Sequence, residues 1–121
     1  MKYFKLFESF AFGRTEYIEI MNSEKKYIIE KVKIDSGSYG SSIDQSIAEK
    51  LQLAVIGQKK VFDALGEEVR NVVKANVKIK GIVHEIEFTV TNRDGLRNPV
   101  TLGRNDIQKW TDYINLNQSI D

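Results

Sequence analysis

Val32-Lys33-Ile34-Asp35-Ser36-Gly37-Ser38 is the stretch on which the fold turns. Val32 and Ile34 alternate with Lys31 and Lys33, which predicts a strand with one buried and one wet face. That strand runs straight into Asp35, Ser36 and Gly37. An Asp-[Ser/Thr]-Gly triplet arises by chance in about one chain of this length in twenty, and by itself it marks only a turn. Its neighbours decide what it means.

Upstream, Tyr17 to Met21 and Tyr27 to Ile34 are rich in Ile, Val and Tyr and are separated by Asn22, Ser23, Glu24 and Lys25, the composition of a hairpin loop. Downstream, Ile43, Ile47, Ala48 and Leu51 fall at helical spacing. Ser41, Ser42 and Asp44 are N-cap candidates there, predicting one short helix near residues 44 to 52. Val61 and Phe62, then Ala64, Leu65, Gly66 and Glu67, then Val69 read as two short strands around a glycine turn. Val72 to Lys80 and Ile82 to Thr91 alternate as a further hairpin hinged at Lys80 and Gly81. A polar loop from Asn92 to Pro99 follows, and Val100, Thr101 and Leu102 then lead to Gly103, Arg104 and Asn105. The tail is expected as a turn of helix over Asp106 to Trp110 and a last strand through Tyr113, Ile114 and Leu116. The chain is mainly β.

Length and charge bound the chemistry. At 121 residues the chain fits a single domain, with residues 1–12 as an N-terminal arm and 13–116 as the core, and it is too short for a two-lobed enzyme. Eighteen basic residues against 17 acidic ones give a net charge of +1, with no bias toward nucleic acid. The absence of cysteine removes thiol catalysis, thiolate metal sites and disulfides. Glu8 interrupts the apolar run of the first twelve residues before a signal peptide or membrane span forms, so the expectation is a cytoplasmic protein with no membrane partner.

Metal and nucleotide chemistry find little support. His84-Glu85-Ile86-Glu87-Phe88 lacks the second histidine four residues on that a zincin helix needs, and His84 is the sole histidine, so no metal site is assigned. Gly37 and Gly40 lack the third glycine and following lysine of a phosphate cradle, and no Gly-x-Ser-x-Gly elbow is present. No cofactor is expected.

An alternating strand, an Asp-Ser-Gly loop, a short helix, a glycine hairpin and an apolar pair before Gly103-Arg104-Asn105 stand in the order of parts of a retropepsin. Three segments carry a closer resemblance: Phe12-Gly13-Arg14-Thr15-Glu16-Tyr17, then Val32 to Ser38 with Ser41-Ser42-Ile43, then Phe88 through Arg104. Over roughly residues 12 to 116, in register, they resemble the RimK-associated branch of the retropepsin-like aspartic proteases, a family commonly labelled an ATP-dependent zinc protease. The resemblance implies a single-domain acid-protease half-barrel that works as a homodimer. It assigns Asp35 as the catalytic acid and Ser36 and Gly37 as loop residues. Leu102 and Gly103 would support the loop from behind, with Arg104 tying it by a charge-assisted bond, and Ala64, Leu65, Gly66 and Glu67 would form a flap over the substrate. Tyr39 stands where retroviral enzymes carry an aspartate that pairs with this arginine.

The chemistry is self-consistent. Hydrolysis by this route needs two carboxylates about 3 Å apart sharing one proton, one activating water while the other polarises the scissile carbonyl. One chain offers one such aspartate, and a two-fold axis supplies its mate. The expected function is therefore an aspartic endopeptidase hydrolysing peptide or isopeptide bonds, with a peptide or protein substrate. The alternative is a binding or assembly module on the same fold, with Asp35 as a structural or docking acid.

Overall fold

A computed structural model describes residues 15–63, 66–92 and 98–118. The expected arm 1–12, the hairpin tip at Ala64 and Leu65, and the loop at 93–97 lie outside the described residues. Seven strands form the sheet: β1 (Thr15–Met21), β2 (Tyr27–Asp35), β3 (Ser41–Asp44), β4 (Val55–Asp63), β5 (Gly66–Ile79), β6 (Ile82–Thr91) and β7 (Val100–Gly103). Among the described residues there are two helices, α1 (Gln45–Lys50) and α2 (Arg104–Gln118).

Strand order is β1-β2-β7-β3-β6-β5-β4, and β1 also pairs with β5. Six strands thus close into a barrel, which leaves β4 attached outside to β5 and removes most free edges. Burial follows the period of two. Ile18 and Ile20, Val32, Ile43, then Val73, Ala75, Val77 and Ile79, then Ile86 and Phe88, and finally Val100 and Leu102 all point into one core. Strand β5 has two lives. Its first seven residues stay largely exposed as one arm of a hairpin with β4, while Val73 to Ile79 alternate into the barrel.

The two-residue turn Lys80-Gly81 joins Ile79 directly opposite Ile82, and both turn residues have positive φ (50° and 84°). This is the geometry that matches the right-handed twist of paired strands, and it requires glycine or a tolerant residue. The hinge expected there is borne out.

Three local expectations change. Ile43 was assigned to the helix by its spacing to Ile47, yet Ser41–Asp44 is a short strand paired in parallel to β6, and the helix begins only after Asp44. Asp44 is the N-cap, accepting from the Ser46 N–H at 3.0 Å. The two strands placed at Val69 and at Val72 are one continuous 14-residue strand. In place of a last strand at Tyr113 to Leu116, α2 continues for 15 residues. Trp110 explains that helix: it is fully buried, donates its indole N–H to the Ile82 carbonyl at 3.1 Å, and meets the His84 ring edge-on at 4.8 Å.

Asn22 also does more than turn the chain. Its amide nitrogen donates to the Leu51 carbonyl at 2.8 Å, and its oxygen accepts from Glu24 and Lys26 N–H groups, so a buried side chain clamps the β1–β2 turn to the end of α1.

Two outcomes follow. Trp110→Ala is expected to cost about 3–5 kcal/mol in urea unfolding, because it empties the seat of α2. Burial, and then the charge of Lys109, lower the pKa of His84 from its ordinary 6.5. The unfolded chain therefore takes up that proton first, so this contribution to stability is full above about pH 6.5 and falls on acidification through it. Thermal melts between about pH 7.5 and 5.5 should show the decline, and His84→Gln should flatten it.

Candidate active site

Asp35 closes β2, and its position is fixed by pairing. Strands β2 and β7 run parallel with Ile34 opposite Leu102 and Asp35 opposite Gly103, while β7 is antiparallel to β3 on its other side. The chain between Asp35 and Ser41 must therefore turn back around the end of β7.

Hydrogen bonds set that loop. Gly37 N–H donates to Asp35 Oδ1 at 3.1 Å, Ser38 N–H to the Asp35 carbonyl at 3.1 Å, and the Ser38 hydroxyl to the Gly40 carbonyl at 3.1 Å. The first bond fixes one carboxylate oxygen from within the triplet. It leaves Oδ2 to face Lys33 Nζ at 3.8 Å, with the Asp35 side chain 34% exposed. Ser36 and Tyr39 stand exposed on the same loop.

Behind the loop lies a contact between two backbones. A Cβ on Gly103 would fall 2.2 Å from the Gly40 oxygen and 2.8 Å from its nitrogen, so only glycine fits. Immediately after it, the first N–H groups of α2 cap the loop, Arg104 donating to the Ser38 carbonyl at 2.7 Å and Asn105 to the Tyr39 carbonyl at 3.0 Å. The Ser41 hydroxyl completes the junction: it accepts from Gly103 N–H at 3.0 Å and donates to buried Asp106 at 2.5 Å. Ser42 and Thr101 hydroxyls join across the β3–β7 pair at 2.7 Å.

The Arg104 guanidinium lies over the Tyr39 ring, 5.9 Å from its centroid. Among the described residues, then, Arg104 holds the loop through its backbone and an aromatic face rather than through a charge-assisted bond to a carboxylate.

In front of Asp35 is a cavity of about 430 Å³, lined on one side by Lys33, Asp35, Ser38 and Gly40 to Ser42 and on the other by Lys59 to Phe62 and Arg70 of the β4–β5 hairpin. The hairpin thus covers the loop, as a flap would. The part that lines the cavity is the flank of the hairpin. Gly66 and Glu67 sit farther out where β5 begins, and Ala64 and Leu65 lie outside the described residues. The structure places Asp35, Gly37, Leu102, Gly103 and Arg104 of the expected set around one loop. Sequence reasoning missed Asp106, whose signal is a carboxylate on the otherwise apolar side of a helix, and it missed Lys59, Lys60 and Arg70, which look like ordinary surface charges until the strands pair.

No protein-family model matches the chain, and neither does any curated protein. Solved structures do. EIAV protease, in complex with the inhibitor HBY-793, is 16% identical and matches with a TM-score of 0.63 over 79% of this chain and 86% of that one. A retropepsin-like aspartic protease from Rickettsia conorii is 19% identical, with a TM-score of 0.55 over 78% and 82%. The fold is retropepsin-like. A Legionella pneumophila protein of unknown function is similar to the same degree, at 20% identity and a TM-score of 0.55 over 82% of this chain and 87% of that one. At these identities the likeness speaks for architecture, and the chemistry must be argued from the site. Among the described residues, no helix is long and apolar enough to cross a membrane.

The backbone contact is directly testable. Gly103→Ala should destabilise the protein by several kcal/mol or prevent folding, because the methyl group meets main chain that has nowhere to go. Ser41→Ala strips two partners from a buried junction and should cost about 1–3 kcal/mol in denaturant melts.

Proposed function

We propose that this chain is one half of a homodimeric aspartic peptidase, with Asp35 and its symmetry mate forming the catalytic dyad. The observation that carries the reading is the Asp35 carboxylate itself. It is held by the Gly37 N–H on a loop braced from behind, and it opens onto a cavity covered by a hairpin. A carboxylate built only to cap a turn would not need such a brace or such a cavity. The retropepsin-like fold supports the same assignment, as does the motif order that resembles the RimK-associated branch.

In this reading two copies meet around the Asp35 loops, and the exposed Ser36 hydroxyls hydrogen-bond across the axis. The carboxylates then lie close enough that one proton serves both, and their titration belongs to the pair. The ionised member takes a proton from water as the water oxygen attacks the scissile carbonyl. The protonated member donates to the carbonyl oxygen, and collapse of the tetrahedral intermediate passes a proton to the leaving amine. The β4–β5 hairpin closes over the peptide and excludes bulk water. The near-neutral charge of the chain lets two copies approach, and the site is proposed to act in the cytoplasm on peptide or isopeptide bonds.

Cleavage of mixed peptides between about pH 4 and 7 should be seen with wild type and fall at least about 10³-fold in Asp35→Asn, which keeps the shape and removes the shared proton. Sedimentation of the active species should give twice the chain mass. Undiminished cleavage by Asp35→Asn, or full activity as a monomer, overturns the mechanism.

A further inference from the structure

We infer that Asp106 is a positioning residue for Asp35: its buried carboxylate, acting through the Ser41 hydroxyl, fixes the far end of the loop that presents the proposed catalytic acid. The catalytic part of this role rests on the peptidase reading, and the structural part does not. Asp106 is the third residue of α2, and an acid there ordinarily reaches back to the backbone N–H just before the helix. Here that N–H, on Gly103, donates instead to the Ser41 hydroxyl at 3.0 Å, and the hydroxyl donates to Asp106 Oδ2 at 2.5 Å. A residue of β3, 62 positions earlier in the chain, is thus inserted into what is ordinarily a local cap.

Proton counting sets the direction of these bonds. Gly103 N–H can only donate, so Ser41 accepts there, and its single hydroxyl proton goes to Asp106. The other carboxylate oxygen, Oδ1, lies 3.5 Å from Lys109 Nζ, and that ammonium donates to the Glu85 carbonyl of β6 at 3.1 Å. One carboxylate therefore ties β3, α2 and β6 together. At 6% exposure it does so where water competes poorly, and a bond to a charged acceptor is short and directional. The Asp35 loop depends on that tie. Its start is set by the β2–β7 pairing, which puts Asp35 opposite Gly103, and its end is Ser41, where β3 begins. Between them the Arg104 and Asn105 N–H groups hold the carbonyls of Ser38 and Tyr39, and Gly40 rests on Gly103. All of these partners belong to the first turn of α2 or to the residue before it, so the loop follows that turn, and Asp106 is what locks the turn to β3. Asp106 does not line the cavity in front of Asp35, so its influence there passes through Ser41 and the loop. A reacting group has to be held within about 0.5 Å of its productive place, and loosening this lock is therefore felt at Asp35.

The test separates position from stability. Asp106→Leu removes the acceptor, and Ser41→Ala cuts the same chain of bonds one link earlier and carries the test should Asp106→Leu not fold. Trp110→Phe loosens α2 farther along the helix and is the control for general destabilisation. In each variant the Gly37 amide proton, which is bonded to Asp35 Oδ1, is followed by NMR without any turnover. It is expected to lose its downfield shift in Asp106→Leu and Ser41→Ala and to keep it in Trp110→Phe. On mixed peptides, at concentrations where sedimentation gives the dimer, kcat should fall about 10- to 100-fold in the first two variants with KM within about twofold. In Trp110→Phe kcat should stay within about twofold of wild type. A Gly37 signal that moves no further than in Trp110→Phe overturns the inference, and so does a loss of kcat shared by all three variants or a loss carried by KM. Wild type that cleaves nothing while Gly37 responds as expected refutes the peptidase and spares the positioning of the loop. Cleavage that Asp35→Asn abolishes, with kcat indifferent to Asp106 and Ser41, does the reverse.

Discussion

The close approach of Gly40 and Gly103 is the constraint on which the rest of the site depends. Strand β7 lies between β2 and β3, so the loop that leaves β2 at Asp35 must pass over the end of β7 before β3 can start. With no side chain on either residue, the loop can rest directly on the β7 backbone. Everything adjacent then has its partner prescribed. The N–H groups of Arg104 and Asn105 find the loop carbonyls, the Ser41 hydroxyl finds both Gly103 and Asp106, and the Asp35 carboxylate stays at the surface. Packing defines the place, and hydrogen bonds fix the orientation.

The two halves of the molecule differ in what holds them. The barrel is sealed by apolar side chains that are almost wholly buried, and α2 is fastened to it by Trp110. The β4–β5 hairpin beyond Val72 has little beneath it: Val55, Ile56, Phe62 and Val69 are exposed, and its Lys60–Glu67 ion pair is in solvent. Few buried contacts mean a low local stability, so this arm can open without disturbing the core. Since β5 belongs to both halves, the arm is aimed by the barrel even while it moves.

Local pattern carried most of the fold. Alternation at Val32 and Ile34, at Val77 and Ile79, and at Ile86 and Phe88 marks real strands, and Lys80-Gly81 marks a real turn. Ile43 misled because one residue at the spacing of a helix can equally be the inward residue of a four-residue strand, and only the β6 and β7 partners decide between the two. Tyr113 to Leu116 misled because β-branched and aromatic residues outweigh weak helical spacing when the docking residue, Trp110, has no visible seat in the sequence. At the site, Asp35 and Gly103 were legible as motif letters. The lysines were not, because the opposition of Lys59 to Arg70 is a property of register.

The stacking of Arg104 on Tyr39 has a consequence for the conditions under which the loop stays in place. An arginine tied to a carboxylate is held by a partner that acid can discharge, so such a tie weakens as solution pH falls. A tyrosine ring offers its face whatever the proton concentration on that side of neutrality, and a guanidinium never gives up its charge there. With an aromatic ring as its partner, Arg104 keeps its hold on the loop whatever the acidity of the solution.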